Sequence, residues 1–313
     1  MQNLILSFSV VFPLFAYMLL GFGIRKMKLL DARIFKPLNG MIFQVFIPIM
    51  LFVDVYESDF KSSVNKGLFL YAAVMVILLF LLLCAAVPRF VRDKKDASVM
   101  IQGIYRSNYV LFGVSIGANL YKDGDLGVIA AMAALIVPLF NILAVILFEM
   151  FRGGRVKPAA VVMGVLKNPL VGAGILGILF AVLNIRLPAL VVDTLDNIGS
   201  MASPMALICL GGMLSFESLR KHRKKLGAVL LGRLILVPAA AVAVAAALGY
   251  REVELVGILA VFGSPTAVAS APMAQSMGGN GELAGEIVAT SSAACVVTMF
   301  LFIWALKTLG WVS

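Results

Sequence analysis

Charged and metal-binding side chains are scarce in this chain. Only 13% of its 313 residues are charged, there is one histidine, and the three cysteines (Cys84, Cys209 and Cys295) lie apart within apolar runs. Cysteines without a CxxC or histidine-linked spacing indicate neither a metal site nor a disulfide framework. The chain also lacks an HExxH motif, a Walker A loop and a nucleophile elbow. We therefore expect no enzyme, no bound metal and no cofactor.

Apolar residues, in contrast, are abundant. They make up 62% of the chain, and the mean hydropathy is +1.03. A soluble domain is closer to half apolar and a quarter charged. A membrane-spanning helix needs roughly 20 mostly apolar residues, and ten segments meet this requirement. An all-α membrane protein is predicted, with spans at 2–24, 35–55, 67–87, 97–120, 126–150, 159–182, 188–214, 227–248, 253–277 and 283–309.

Lysine and arginine are concentrated in the first, third, fifth and seventh connectors between these spans, whereas the ninth contains neither. The seventh connector alone contains Arg220, Lys221, Arg223, Lys224 and Lys225. Because positively charged loops stay cytoplasmic, this alternation predicts a plasma-membrane protein with both termini outside. A nucleic-acid-binding protein would gather its bases on one soluble face. The net charge of +10 therefore reflects topology in a lipid bilayer, and no nucleic-acid partner is expected.

The sequence repeats itself at an offset of 156 residues. Pro13-Leu14 recurs as Pro169-Leu170, and Pro48 recurs as Pro204. The halves, 1–156 and 157–313, each contain five predicted spans, so the second copy enters the bilayer inverted. The fold class expected is thus ten transmembrane helices in two inverted five-helix repeats, with helices 4 and 9 as broken crossover helices. Inverted repeats with interrupted segments at matching places are typical of secondary transporters.

Polar residues interrupt the fourth and ninth spans at matching places. Pro265 removes a backbone donor, and Gly113 and Gly263 permit unusual backbone angles. Unwound backbone at this depth is tolerated only where protein or a water-filled cavity surrounds it. The breaks are predicted to cross near the midplane, where half-helix N-termini would offer unpaired N–H groups to an anion. The alternative is that these residues only kink the helices or allow close packing.

The candidate residues follow from these interruptions. The candidate substrate contacts at the breaks are Arg106, Ser107, Asn108, Tyr109, Gly263, Ser264, Pro265 and Thr266. The candidate hinge positions are Gly113, Pro265, Pro48 and Pro204.

Arg106 is the most informative of these residues, because an arginine at the bilayer centre costs at least about 2.5–3.5 kcal/mol. It is either a fixed cation that replaces a coupling sodium ion or pairs with an anionic substrate, or a helix tie to a carbonyl or to Glu149. Asn108 offers both a donor and an acceptor, and its other interpretation is a cap on a broken half-helix. Arg233, about six residues into span eight, is expected to extend its side chain toward the inner surface.

Further polar residues lie within the spans. Gln44 and Asn141 are candidate substrate contacts, and Asn141 is favoured because span five directly follows the first break. The alternative for each, and for Ser292, is a hydrogen bond between packed helices.

Acidic residues are few in the predicted spans, where we expect Asp54, Glu149, Asp193 and Asp196. None of them is beside a break, which disfavours proton coupling through a pair of aspartates. His222 lies in the seventh connector, which is predicted to be a polar cytoplasmic loop.

Several short segments resemble the auxin efflux carrier family over the whole chain. Asn108–Gly113, followed by Val114-Ser115-Ile116, resembles that family's fourth-helix motif, and Lys167-Asn168-Pro169-Leu170 resembles the start of its sixth helix. Pro204-Met205-Ala206-Leu207 is similar to its seventh helix, and Ser264-Pro265 to its ninth-helix crossover.

The resemblance implies a ten-helix fold related to the bile acid:sodium symporters, assembled as a homodimer. Spans 1, 2, 6 and 7 would form a scaffold, and spans 3–5 and 8–10 a transport domain that moves as an elevator. Substrates in the family are organic anions, such as indole-3-acetate in plants and malate or malonate in some bacteria. A sodium- or proton-coupled symporter on the same scaffold is the alternative.

The resemblance also assigns two crossover positions. It matches the fourth-span polar residue to Asn108 and the ninth-span proline to Pro265. Plant members have a proline where this chain has Ser107, and Arg106 also departs from their pattern. A smaller or more highly charged anion than indole-acetate is therefore expected.

Overall fold

The computed structural model describes residues 2–57, 66–109, 127–152, 167–213 and 216–312. These residues are mostly helical, and the part of the chain they cover contains no strand longer than a single bridge. Four helical segments in them are long and apolar enough to cross a membrane, and two shorter ones are also apolar. The four are Arg33–Tyr56, Lys66–Phe90, Ser218–Ala247 and Gly281–Thr308, and the two are Leu135–Phe151 and Pro169–Val182. The protein is an all-α membrane protein.

The helices of the first half correspond to the predicted spans one to five. They are α1 (Gln2–Lys26), α2 (Ala32–Met41), α3 (Ile47–Tyr56), α4 (Lys66–Phe90), α5 (Lys94–Tyr105) and α6 (Gly127–Phe151). In the second half, the helices are α7 (Pro169–Val182), α8 (Ala189–Ser200), α9 (Ala202–Met213), α10 (Phe216–Leu231), α11 (Val237–Ala247), α12 (Glu252–Gly263), α13 (Ser270–Ser276) and α14 (Gly281–Thr308).

Two spans contain a π-helical turn. The first turn, Ile42–Phe46, joins α2 to α3, and the second, Gly232–Leu236, joins α10 to α11. Each is followed by a proline, Pro48 or Pro238, in the first turn of the next helix. Proline lacks the N–H that would pair four residues back. The wider turn restores pairing before each proline, since Ile47 N–H donates to Ile42 O.

The predicted hinge prolines of spans two and seven occupy equivalent places. Pro48 follows the first π-helical turn, and Pro204 lies in the first turn of α9, after the helix is interrupted at Met201. The first turn of a helix tolerates proline because its N–H groups have no partner within the helix. Both prolines therefore begin a new helical segment without breaking one.

The prediction of a polar loop between spans seven and eight is wrong. Helix α10 begins at Phe216, so residues 217–225 are helical and His222 lies on a helix. The segment contains neither glycine nor proline and is rich in lysine and arginine, which have good helix propensity. The helix therefore continues through this run of positive charges.

The described helices pack as two groups. In the first helix group (α1–α3 and α7–α9), α1 packs against α9, and α3 packs against α7 and α8. In the second helix group (α4–α6 and α10–α14), α5 packs against α4, α6, α10 and α14, and α12 packs against α11. The groups meet where α14 contacts α1 and α9, where α13 contacts α2, and where α6 contacts α3 and α7.

Candidate functional site

The two predicted breaks are present and lie against each other. Helix α5 ends at Tyr105 and α12 ends at Gly263, and the following residues are extended. Ser107 and Thr266 form an isolated antiparallel bridge. Asn108 N–H donates to Pro265 O at 2.8 Å, and Ala267 N–H donates to Arg106 O at 3.4 Å. The two interrupted segments thus form one crossover.

The backbone donors at this crossover are already used. In addition to the N–H groups of Asn108 and Ala267, that of Thr266 donates to Ser291 Oγ at 3.1 Å. The N–H groups of these three residues are therefore not available to an anion. Buried backbone groups away from water must be paired, and at Asn108 and Ala267 the two breaks pair with each other. The predicted half-helix N-terminus of the fourth span falls in residues 110–126, outside the described part of the chain.

Arg233 holds the C-terminal ends of both broken helices. Its side chain is 0% exposed, so the expectation that it extends to the inner surface is wrong. The guanidinium donates from Nε to Ser264 O at 2.8 Å, from Nη1 to Ile104 O at 3.1 Å and Tyr105 O at 3.3 Å, and from Nη2 to Val261 O at 2.9 Å. The last carbonyls of a helix lack intrahelical partners and carry partial negative charge. One cation thus neutralises two helix ends.

Arg106 lies at the same crossover in a different environment. It is 4% exposed, and it donates from Nη2 to Asn141 Oδ1 at 2.5 Å and from Nη1 to Met273 Sδ at 3.0 Å. Asn141 donates in turn to Val137 O at 3.0 Å, which orients its oxygen toward the arginine. In the amide orientation that satisfies both neighbours, Gln102 also accepts from Arg106 Nη1 at 3.3 Å.

The proposed tie between Arg106 and Glu149 is wrong. Glu149 instead pairs with Arg152 at 3.2 Å. Within the residues that the structure describes, no carboxylate forms an ion pair with Arg106. Its partners are an amide oxygen and a thioether, which leave the positive charge without a counter-anion in that part of the chain.

Several buried side-chain atoms near the breaks have no hydrogen-bond partner among the described residues. Ser107 Oγ and Asn108 Nδ2 belong to the first break, and Ser270 Oγ begins α13 after the second. Ser292 Oγ belongs to the residue after Ser291, whose hydroxyl oxygen accepts a hydrogen bond from the N–H of Thr266. An unsatisfied buried polar group costs about 1–3 kcal/mol. Atoms of this kind are usually paired by a ligand or an ordered water molecule.

A comparison with family models gives one match over nearly the entire chain. The model described as membrane transport protein matches residues 6–303. The chain belongs to the membrane transport protein family. This family is of the auxin efflux carrier type, which confirms the resemblance deduced from the sequence. Comparison with curated proteins gives no match.

Membership of the membrane transport protein family establishes a transporter and argues against an enzyme. The chemistry of the crossover consists of a buried guanidinium and neighbouring hydroxyl and amide groups, which can hold an anion by charge-assisted hydrogen bonds.

Several of the remaining candidate residues of this membrane transport protein already form hydrogen bonds within the protein. Thr266 Oγ1 donates to Gly103 O at 2.8 Å, and Ser264 Oγ donates to Ala260 O at 2.5 Å, so both hydroxyl protons are engaged. Tyr109 is buried, and Gly263 O accepts from Cys295 Sγ at 3.7 Å.

Two further candidates lie away from these contacts. Gln44 is exposed on the first π-helical turn, which packs against α13, the short helix after the second break. Gly113 lies outside the described residues.

Sequence reasoning missed Arg233 as a member of this site. The available signal was a charged residue within an apolar span, since such residues usually face the protein interior and are functional. The sequence predicts instead that Arg233 extends its side chain to the membrane surface, because it predicts a loop for the seventh connector and so places Arg233 only about six residues into the span.

Proposed function

We propose that this protein is a secondary carrier for small organic anions, with the substrate bound at the crossover of the two broken helices. The observation that carries this proposal is the contrast between two buried arginines. Arg233 is compensated by four carbonyl groups at two helix ends, whereas Arg106 has no anionic partner among the described residues. A buried unpaired charge is expensive, and an anionic substrate would pair it.

The neighbouring side chains favour a carboxylate. A guanidinium binds a carboxylate through parallel N–H···O bonds. Ser107 Oγ and Asn108 Nδ2, which have no partner in the described part of the chain, are donors suited to the remaining carboxylate lone pairs. The site is densely packed, with Tyr105 and Tyr109 buried beside it. A small substrate such as malonate or malate fits this chemistry better than an indole compound.

The packing of the helices supports movement of the crossover as one body. The crossover residues lie between helices of the second helix group and are bonded within it: Asn108 to Pro265, Arg106 to Ala267, and Arg233 to Ser264. We infer that this group is the transport domain, which slides along the first helix group as a scaffold. Ten spans in two inverted repeats, a homodimer and a plasma-membrane location with both termini outside belong to the same proposal.

Counterflow in proteoliposomes tests the substrate and the site together. Proteoliposomes that contain the purified protein and are loaded with unlabelled malonate should take up labelled malonate transiently. Arg106→Gln should abolish this exchange while the protein stays folded. Arg152→Gln is the matched control, since Arg152 is an exposed arginine that pairs with Glu149. Exchange by Arg106→Gln at the wild-type rate would contradict the assignment of Arg106 to the substrate.

A further inference from the structure

A carboxylate and an imidazole form a buried pair away from the crossover. Glu286 on α14 is 2% exposed, and its Oε2 lies 2.8 Å from Nδ1 of His222 on α10, which is also buried. Ser218 Oγ lies 3.3 Å from the same ring nitrogen. The pair connects two helices of the second helix group. Glu286 was absent from the acids expected within the spans.

The second oxygen of this carboxylate has no partner among the described residues. Glu286 Oε1 is buried and accepts no hydrogen bond, and Asn39 Oδ1 on α2, in a side chain 3% exposed, is in the same situation. Both residues line one cavity of about 20 Å³, together with Leu210, Met213 and Ala271. A cavity of roughly 10–15 Å³ suffices for one water molecule, and one water could donate to both oxygens.

The cavity lies at the boundary between the two helix groups. Asn39 and Leu210 belong to α2 and α9 of the first helix group, whereas Ala271 and Glu286 belong to α13 and α14 of the second. Asn39 Nδ2 donates to Gln275 Oε1 at 3.1 Å across this boundary, which fixes the orientation of the amide. A change in charge at Glu286 therefore acts directly on the surface along which the groups would slide.

We propose that Glu286 and His222 form a proton-binding site that couples anion transport to the proton gradient. The proposal rests on the proposed function and adds the coupling ion to it. One proton enters the pair from the side of higher proton concentration and forms an O–H or N–H bond. It leaves by breaking that bond after the transport domain has moved. No other bond is made or broken.

Charge balance explains why proton and substrate would move together. With His222 neutral, Glu286 contributes one buried negative charge, and Arg106 contributes one buried positive charge. Arg233 is compensated by the carbonyls of two helix ends, so the buried charges of Arg106 and Glu286 offset each other in the empty transport domain. Malonate, a dianion, adds two negative charges, and a proton on the Glu286–His222 pair cancels one of them. Burying a net charge is costly, so malonate moves more readily with a proton than without one.

The other charged groups around the pair do not replace His222. Within the described residues, Glu286 forms an ion pair with His222 alone. Lys225, one turn along α10, is engaged by Asp96 on α5, and Asp96 also accepts from Asn280 Nδ2 at 2.7 Å. Other charged or titratable residues on the elements around the pair are Glu282, Cys295 and Lys307 on α14, Tyr17, Arg25 and Lys26 on α1, Arg33 and Lys36 on α2, and Cys209 on α9; α13 contains none.

The ligand set favours a proton over a metal cation. Hard cations such as Ca²⁺ and Mg²⁺ take about six or more oxygen ligands. Among the described residues that line this cavity, two side-chain oxygens lack a hydrogen-bond partner, and much of the lining is apolar. A carboxylate and an imidazole that share a hydrogen bond need no further ligand to hold one proton.

Two transport assays on the same proteoliposomes test this proposal. Malonate counterflow at equal pH on both sides needs no coupling ion, whereas accumulation against a gradient does. We expect wild-type protein to accumulate malonate when the outside is acidic, with or without sodium. Glu286→Gln should retain counterflow, and its accumulation should fall to the level reached without a pH gradient. The matched control is Glu149→Gln, which removes a carboxylate outside the cavity and should keep both activities.

The possible failures are distinguishable. Absence of malonate counterflow in the wild type would refute the proposed substrate. Counterflow together with unchanged pH-driven accumulation in Glu286→Gln would overturn the proton site, as would wild-type accumulation driven by sodium alone. If Glu286→Gln does not fold, a pH-sensitive dye trapped in wild-type proteoliposomes decides the question. Malonate uptake must then acidify the lumen, and its absence overturns the proposal.

Discussion

The backbone N–H of Asn108 donates to the carbonyl of Pro265 at 2.8 Å, so residues 157 positions apart are directly bonded at the centre of the crossover. This bond and the bridge between Ser107 and Thr266 join the ends of α5 and α12. The two breaks satisfy several of each other's backbone groups, and among the described residues Ser107 Oγ and Asn108 Nδ2 are buried without a hydrogen-bond partner. The following predictions test what each side chain contributes.

Arg233→Gln should strongly destabilise the protein. The substitution removes a cation that four carbonyls of two helix ends share, and breaking a buried charged network costs about 3–5 kcal/mol. Thermal unfolding in detergent, followed by tryptophan fluorescence, measures the effect. The unfolding temperature of Arg233→Lys should lie between those of the wild type and Arg233→Gln, because lysine keeps the charge but lacks the planar guanidinium group. Arg220→Gln, on the exposed face of α10, should unfold like the wild type.

Asn141→Asp should supply Arg106 with an internal counter-anion and thereby compete with substrate. Asn141 Oδ1 is already 2.5 Å from Arg106 Nη2, so the aspartate needs no rearrangement to form an ion pair. Loss of one charge-assisted hydrogen bond to substrate, about 1.5–3 kcal/mol, corresponds to roughly a 10- to 100-fold increase in the half-saturating malonate concentration. Unfolding should not shift to lower temperature. An unchanged malonate affinity in this folded variant would argue against substrate binding by Arg106.

Ser107→Ala should weaken transport without weakening the fold. Ser107 Oγ is buried and has no hydrogen-bond partner among the described residues, so its removal breaks no described contact. We expect the half-saturating concentration in counterflow to rise about tenfold, as for one lost hydrogen bond of about 1.4 kcal/mol. The reverse result, a lower unfolding temperature with unchanged malonate affinity, would assign the hydroxyl to packing alone.

Gly211→Ala should disturb the contact between α1 and α9. A Cβ at this position would lie 1.9 Å from Met18 O, and a Cβ at Gly21, on the opposite helix, would lie 1.9 Å from Ile208 O. Small residues allow membrane helices to approach this closely, and overpacking costs about 1–3 kcal/mol or more. Gly23→Ala, where nothing lies within 4 Å of the added Cβ, is the control. Equal unfolding temperatures for the two variants would contradict the predicted packing.

Much of the framework was predictable from local sequence. The apolar runs predicted the helices that the structure describes, within a few residues at most ends. Pro265 with Gly263, and the polar run from Arg106, predicted where α12 and α5 would end. Span eight was the exception, because the charges from Arg220 to Lys225 mark the membrane surface but do not stop a helix.

The contacts of the charged side chains were much less predictable. A sequence shows that Arg106 and Arg233 lie in apolar segments, yet it assigned neither the correct partner. Arg233 meets carbonyls contributed by residues 104, 105, 261 and 264, which carry no side-chain signal. The pair of Glu286 and His222 was also not predicted, because the sequence predicts a polar loop at His222.

The sequence by itself determined that the chain is a set of apolar helices with two polar interruptions, because helix length and backbone breaks depend on residues that are neighbours in the chain. Only the tertiary structure decided that Arg233 serves two helix ends, that Arg106 lacks a carboxylate among the described residues, and that Glu286 meets His222. Those outcomes depend on which helices lie side by side. In a low-dielectric interior, the cost of a charge is set by the groups within a few ångströms, whatever their distance along the chain.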